Sequence, residues 1–166
     1  MTQGRPGGPV LFCYDGSEGS RGAMRAAGDL IQPSAEVVVL TVWEPIAVRL
    51  ALSGAFALGS LPSESDLDGQ EESFAKAAAE EGAQRAVEHG YIASTVTKES
   101  TLGIAQTILA VADEISADLI VCGQRGRGPI KTTLLGSVSH ALAAHTRRPI
   151  LIAPELVAPP QNSSQT

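Results

Sequence analysis

The 166-residue chain has no apolar run close to the roughly 18 residues that cross a bilayer as a helix. Its longest candidate, around Ile46 to Leu58, is broken by Arg49, Ser53 and Gly54, so a membrane-spanning helix is excluded. Residues 1–9 hold one Arg among Gly and Pro, with no apolar stretch before Val10. No signal peptide is visible, and a cytoplasmic location is expected. Positive charge is also short. Twelve Lys and Arg face 18 Asp and Glu, for a net charge of -6 and a pI near 5.0. That balance argues against a domain-wide footprint for nucleic acid, and any polyanion must meet a local site. Cysteine occurs twice, as Cys13 and Cys122, each inside an apolar strand-like run where a buried free thiol is the common outcome. A redox pair would require those two runs to be neighbouring strands, and a reducing cytoplasm disfavours it. No internal repeat is present.

What the chain does have is apolar material: 43% hydrophobic and 18% charged residues, with a mean hydropathy of +0.09. That suffices for one folded domain of ordinary size. Strand-like and helical runs alternate, the mark of a parallel sheet covered by helices. Val10 to Tyr14 reads as a strand buried on both faces, and Glu36 to Val42 as a second, because its valines crowd the helical alternative. Ile92 to Glu99 reads as a half-exposed edge strand, Asp118 to Cys122 as a fourth strand and Pro149 to Ala153 as a fifth.

Helices are expected over Ser20 to Ile31, Glu71 to Glu88, Gly103 to Ser116 and Ser137 to Thr146. Leu30 and Ile31 join the core face of the first, and Phe74, Ala78 and Val87 that of the second. Ile104, Ile108, Val111 and Ile115 form the stripe of the third, and Val138, Ala141, Leu142 and His145 share one face of the fourth. Ile46 to Gln70 reads as a long, partly mobile connection with room for one short helical piece.

Open α/β sheets bind ligands beyond the carboxyl ends of their strands, where strand order reverses. Three segments qualify by position: Asp15-Gly16-Ser17, Val42-Trp43, and Gly123 to Ser139. The last is rich in glycine, which lets backbone approach an anion, and Gly136-Ser137 opens a helix whose first N–H groups can meet a phosphate. It is not a Walker A loop, since Pro129-Ile130 stand where Lys and Ser/Thr are required. A G-x-G-x-x-G turn is absent after the first strand.

Gly123-x2-Gly126-x9-Gly136-Ser137, with V-x-x-Y-D-G-S near the start and P-I-L-I-A near the end, resembles the universal stress protein family. The resemblance runs from Val10 to Pro154, leaving residues 1–9 and 155–166 as flexible tails. It implies one open five-stranded parallel sheet of order 3-2-1-4-5 with helices on both faces, similar to the adenine nucleotide alpha hydrolases. It also implies ATP binding; Mg²⁺ is expected to arrive with the nucleotide, held mainly by phosphate oxygens with Asp15 as a further ligand. By that resemblance Asp15 would contact ribose, triphosphate or metal, and Val42 would offer backbone to adenine. Gly123, Gly126, Arg127, Gly136, Ser137, Val138 and Ser139 would line phosphates and ribose, and Pro149 to Ala153 would pair with a second copy in a homodimer. The chain departs from the pattern in its long 46–70 connection and in Gln124, where a small polar residue is more usual.

Each of these residues also has a plainer reading. Asp15 can stabilise the turn, Ser137 can cap a helix, and Arg125, Arg127 and Lys131 can be solvated loop charges. His140 and His145 lack metal-ligand partners at suitable spacing, so no metal site in side chains is expected. No nucleophile, base and orienting group occur together, so no catalytic residue is assigned. The leading expectation is a nucleotide-dependent sensor or switch with an unidentified protein partner. The alternatives are a slow ATPase or autophosphorylating protein using Ser137 or Ser139, and a nucleotide-independent interaction module.

Overall fold

The computed structural model describes residues 7–53, 64–126 and 135–154. Arg127, Lys131 and the two expected tails, apart from residues 7–9, lie outside them. The elements in chain order are β1 (Val10–Cys13), α1 (Glu18–Gly28), β2 (Glu36–Trp43), α2 (Ile46–Ser53), α3 (Glu64–Glu88), β3 (Ile92–Glu99), α4 (Ile104–Glu114), β4 (Leu119–Gly123), α5 (Ser137–His145) and β5 (Ile150–Ala153). The sheet is parallel throughout, in the order β3-β2-β1-β4-β5. Strand order reverses at β1, whose neighbours are β2 and β4, and this opens a crevice beyond the carboxyl ends of β1 and β4.

Alternation along the central strands feeds two cores. Val10 and Phe12 of β1 join Val37 and Val39 of β2 and Val121 of β4 beneath Ala23, Met24 and Ala27 of α1 and Ala86 of α3. Leu11, Leu40, Ile120 and Cys122 face the other way, against Ala105, Ile108, Val111 and Ala112 of α4 and Leu142 of α5. Both faces of the central strands are therefore dry, which is why they read as unbroken apolar runs. β3 is an edge strand, as its half-exposed pattern predicts.

The structure departs from the sequence reading in the 46–70 stretch and in helix facing. Ile46 to Ser53 forms helix α2, the one short helical piece expected there, but α3 begins at Glu64, seven residues before the predicted start at Glu71. The opening of α3, Glu64-Ser65-Asp66-Leu67-Asp68, is acidic and polar like a loop, yet acidic residues suit the positive end of a helix dipole. Asp68 Oδ1 accepts the Ile46 N–H at 2.8 Å and ties the two helices together.

Phe74 and Val87 are 46% and 58% exposed rather than core residues. Ala78 is buried as expected, and the rest of the buried face of α3 is made of Ala75, Ala79, Gly82 and Ala86. A Cβ at Gly82 would stand 2.8 Å from Val39 Cγ1 and 2.9 Å from Tyr14 Cδ1, so α3 lies too close to the sheet for larger side chains on that face. Leu30 falls past the end of α1 and is exposed, as is His145, whose Nδ1 meets the Ala141 carbonyl at 2.8 Å.

Candidate functional site

The turn after β1 is set by Asp15 and Gly16. Asp15 Oδ1 accepts the Ser17 N–H at 3.0 Å, and Gly16 takes φ 74, a conformation glycine adopts without strain. Ser17 then caps α1, its Oγ accepting the Ser20 N–H at 3.2 Å. Asp15 thus holds the turn that its plainer reading assigns to it. Its other carboxylate oxygen, Oδ2, faces Gly126 across the cleft, 2.6 Å from where a Cβ would stand.

Beyond β4 the backbone is fitted closely against α1. A Cβ on Gly123 would lie 2.5 Å from the carbonyl carbon of Gly19, and one on Gly19 would lie 2.2 Å from the Arg125 carbonyl oxygen. The Gln124 carbonyl then accepts both the Gly136 N–H at 2.9 Å and the Ser139 hydroxyl at 2.8 Å. Ser139 is buried, and its hydroxyl also lies 3.0 Å from the Gly136 carbonyl, so it fastens the start of α5 to the end of β4. Gly136 is the N-cap of α5 and offers no side-chain cap. Among the described residues, the first amides of α5 are therefore open to an anion.

These segments enclose a cleft of about 720 Å³. Asp15, Val42, Gly123, Gly126, Gly136, Ser137, Val138 and Ser139 all line it. The eight come from four separate stretches of sequence, and the β1–β4 reversal brings them together. Arg127, the ninth residue expected there, lies outside the described residues.

The cleft also holds residues that sequence reasoning missed. Beside the expected Trp43, Glu44, Arg49 and Glu71 line its wall next to β2, where Arg49 Nη1 and Glu71 Oε1 pair at 3.3 Å. Arg49 belongs to the stretch that sequence patterning left unread and Glu71 opens the expected second helix, and nothing in their spacing marks either as a cleft residue. Ile104 and Ile108 of α4 and the thiols of Cys13 and Cys122 add apolar lining. Tyr14 also reaches the cleft and donates its hydroxyl to Glu81 Oε1 at 3.0 Å. Burial, followed by the Glu81 carboxylate, pushes that phenol up to about 12. It remains protonated at neutral pH and is no candidate base.

Arg125 lines the same cleft with its Nε buried and without a hydrogen-bond partner among the described residues. A buried guanidinium N–H left over beside uncapped helix amides suits an anionic ligand. The lining thus combines groups suited to an anion with the apolar side chains of Leu40, Val42, Ile104 and Ile108. No histidine or lysine is found among its described residues. Among the described residues, no helix is long and apolar enough to cross a membrane, and no group of three or more His, Cys, Asp or Glu could hold a metal ion.

Comparison with known proteins bears on this arrangement. The model of the universal stress protein family matches residues 8–154. The stress response protein NhaX of Bacillus subtilis is 44% identical over 48 residues, which make 29% of this chain and 29% of NhaX. Hypothetical protein MJ0577 superposes with a TM-score of 0.71 at 20% identity, covering 91% of this chain and 98% of that one. The universal stress protein UspA of Lactobacillus plantarum gives 0.67 at 22% identity, over 88% and 97%.

Three further structures hold nucleotides. A universal stress protein in complex with cAMP has a TM-score of 0.59 at 23% identity, over 89% of this chain and 97% of that one. An Arabidopsis thaliana family member with AMP bound gives 0.61 at 14%, over 89% and 91%, and the Archaeoglobus fulgidus protein in complex with dAMP gives 0.56 at 17%, over 87% and 96%. At such identities the structural likeness establishes the fold alone, an open five-stranded parallel sheet of order 3-2-1-4-5 with helices on both faces. Membership rests on the match of the family model to nearly the whole described chain, and this chain belongs to the universal stress protein family.

Proposed function

We propose that this protein binds ATP in the cleft between β1 and β4 and acts as a nucleotide-dependent sensor or switch in a stress response. One observation carries the reading. The open N-terminus of α5, the close-packed turn from Gly123 to Gly126 and the Asp15 carboxylate meet in one cleft at the strand-order reversal. Family structures with AMP, dAMP and cAMP support an adenine nucleotide as the occupant.

In this reading the amides of Ser137, Val138 and Ser139, with Gly123, Gly126, Gly136 and Arg127, would hold the phosphates, and Arg125 would add charge. Asp15 would take the ribose or share in holding Mg²⁺, which would neutralise phosphate charge. Val42 backbone would meet the adenine. Arg49 and Glu71 carry the cleft wall to the surface of α2 and α3, so occupancy can alter a face offered to a protein partner. Among the described residues the edge strand β5 has one neighbour, β4, and its other side, from Pro149 to Ala153, would pair with a second copy. The protein would work in the cytoplasm.

Identification of the nucleotide released when freshly purified protein is denatured tests the reading, together with calorimetric titration of ATP and AMP with and without Mg²⁺. Released adenine nucleotide and ATP binding are expected. An empty protein that gives no heat with millimolar ATP would refute it and would favour a nucleotide-independent interaction module.

A second reading, slow ATP hydrolysis or autophosphorylation, draws on the exposed Ser137 at the cleft. The Ser139 hydroxyl, by contrast, is already engaged with carbonyls. Intact mass after incubation with Mg-ATP decides it, since an unchanged mass with no phosphate released excludes both activities.

A further inference from the structure

Both cysteines of the chain stand at the carboxyl ends of adjacent central strands. β1 and β4 pair in parallel with Val10 opposite Leu119, Leu11 opposite Ile120 and Phe12 opposite Val121. The next step in that register sets Cys13 beside Cys122. Side chains alternate along a strand, so Cys13 shares a face with Leu11, and Cys122 shares one with Ile120. These belong to the same core, in which Cys122 is buried and Cys13 packs against it. Neighbouring strands run about 4.8 Å apart, inside the roughly 4.4 to 6.8 Å between Cα atoms that a disulfide spans. Both residues are free thiols, and both line the cleft.

We propose that Cys13 and Cys122 form a dithiol modification site, which a hydroperoxide entering the cleft converts to an intramolecular disulfide joining β1 to β4. Cys13 keeps partial exposure while Cys122 is only 4% exposed, so Cys13 is the thiol that the oxidant meets and Cys122 the one that resolves. The Cys13 sulfur, deprotonated as it reacts, attacks one peroxide oxygen and the O–O bond breaks. Water or an alcohol leaves, and Cys13 becomes a sulfenic acid. The Cys122 sulfur then attacks the Cys13 sulfur, the S–S bond forms, the S–O bond breaks and water leaves with the Cys122 proton. Two thiols lose two electrons in all, and the peroxide gains them.

Burial pushes both thiols up, Cys122 to about 11, and at Cys13 the neighbouring Cys122 and Asp15 add to the rise. The pair is therefore protonated at neutral pH and reacts slowly, as suits a record of sustained oxidant rather than of brief pulses. Asp15 follows Cys13 by two residues and Gly123 follows Cys122 by one, so the bond would strap the strands together under the groups proposed to hold nucleotide.

The test uses the reduced, full-length protein treated with hydrogen peroxide. The expected result is loss of two hydrogen masses, a peptide map linking the Cys13 and Cys122 peptides, and full reversal by dithiothreitol. Cys13→Ala and Cys122→Ala, each checked for native circular dichroism, should form no link, and the thiol left behind should be reduced or carry added oxygen. A disulfide between two chains would overturn the proposal. So would two thiols still reduced under conditions that link the urea-unfolded chain. One arm depends on the nucleotide reading: ATP at about ten times its dissociation constant should slow linkage roughly tenfold, in proportion to the empty fraction. Linkage that proceeds at the same rate with ATP leaves the dithiol site standing and counts against ATP occupying this cleft.

Discussion

Alanine at position 126 separates ligand binding from folding. The added Cβ would sit 2.6 Å from Asp15 Oδ2, well inside ordinary van der Waals contact, but the atom it meets is the far end of a rotatable side chain. The carboxylate can swing aside at a cost of roughly 1 kcal/mol for an unfavourable rotamer and about 1 kcal/mol more for the Ser17 N–H bond it gives up, so the fold survives at slightly lower stability. What is lost is the position of Asp15. One charge-assisted hydrogen bond is worth about 1.5 to 3 kcal/mol, which converts to roughly 10- to 150-fold in the dissociation constant for Mg-ATP.

Gly123→Ala is the matched comparison, because its Cβ would meet the Gly19 backbone at 2.5 and 2.6 Å, where nothing can rotate away. Forcing β4 and α1 apart should cost about 1 to 3 kcal/mol, and at about 2 to 4 °C per kcal/mol for a chain of this length it should lower the melting temperature by several degrees. Thermal melts and calorimetric titrations of the two variants are the assay. A Gly126→Ala protein that binds ATP as tightly as the parent would refute the placement of Asp15 against the ligand. A large loss of stability in that variant would refute the separation itself.

Three other outcomes follow from the same geometry. The Arg21 guanidinium above all, against the opposing effect of burial and with help from Arg85 and the Tyr14 hydroxyl, holds the Glu81 carboxyl down at about 2, below its usual 4.5. The unfolded chain therefore binds this proton at higher pH than the folded one, so the stabilisation is complete above about 4.5 and fades as pH falls toward 2. Glu81→Gln should melt below the parent at pH 7, and that gap should close on acidification; a gap that stays constant to pH 2 contradicts the assignment. Ser139→Ala removes the hydroxyl shared by the Gln124 and Gly136 carbonyls and should cost about 1 kcal/mol by denaturant unfolding, while no change would mean that the fastening is idle. Sedimentation should give twice the 17.1 kDa of one chain if β5 pairs across a two-fold axis, and a monomer at all concentrations would exclude that pairing.

The sheet was legible because its central strands are buried on both faces, leaving runs such as Val10 to Cys13 with no polar interruption to misread. The strand order itself came from the family resemblance. Helix α4 was legible for a similar reason, since Ile108 and Val111 sit on the stripe their spacing predicts. Helix α3 was not, because it meets the sheet through alanines and Gly82, and close approach leaves its bulky Phe74 and Val87 outside. A hydrophobic stripe marks a face only where there is room for large side chains. The cleft was legible wherever its residues belong to one local pattern, as at Gly123, Gly126 and Gly136 to Ser139. Arg49 and Glu71 reach it only through the packing of α2 on α3, which no spacing in the sequence encodes. The meaning of the glycines also changed on folding: Gly123 is required by the Gly19 backbone, whereas Gly126 leaves the Asp15 carboxylate its place in the cleft.

The most direct test follows backbone amide resonances of the isotopically labelled protein as Mg-ATP is added. The amides of Gly123 to Gly126 and of Ser137 to Ser139 should shift furthest and saturate together, with that of Asp15 moving in step. Saturable shifts centred on any other surface, or none at millimolar ATP, would contradict the account.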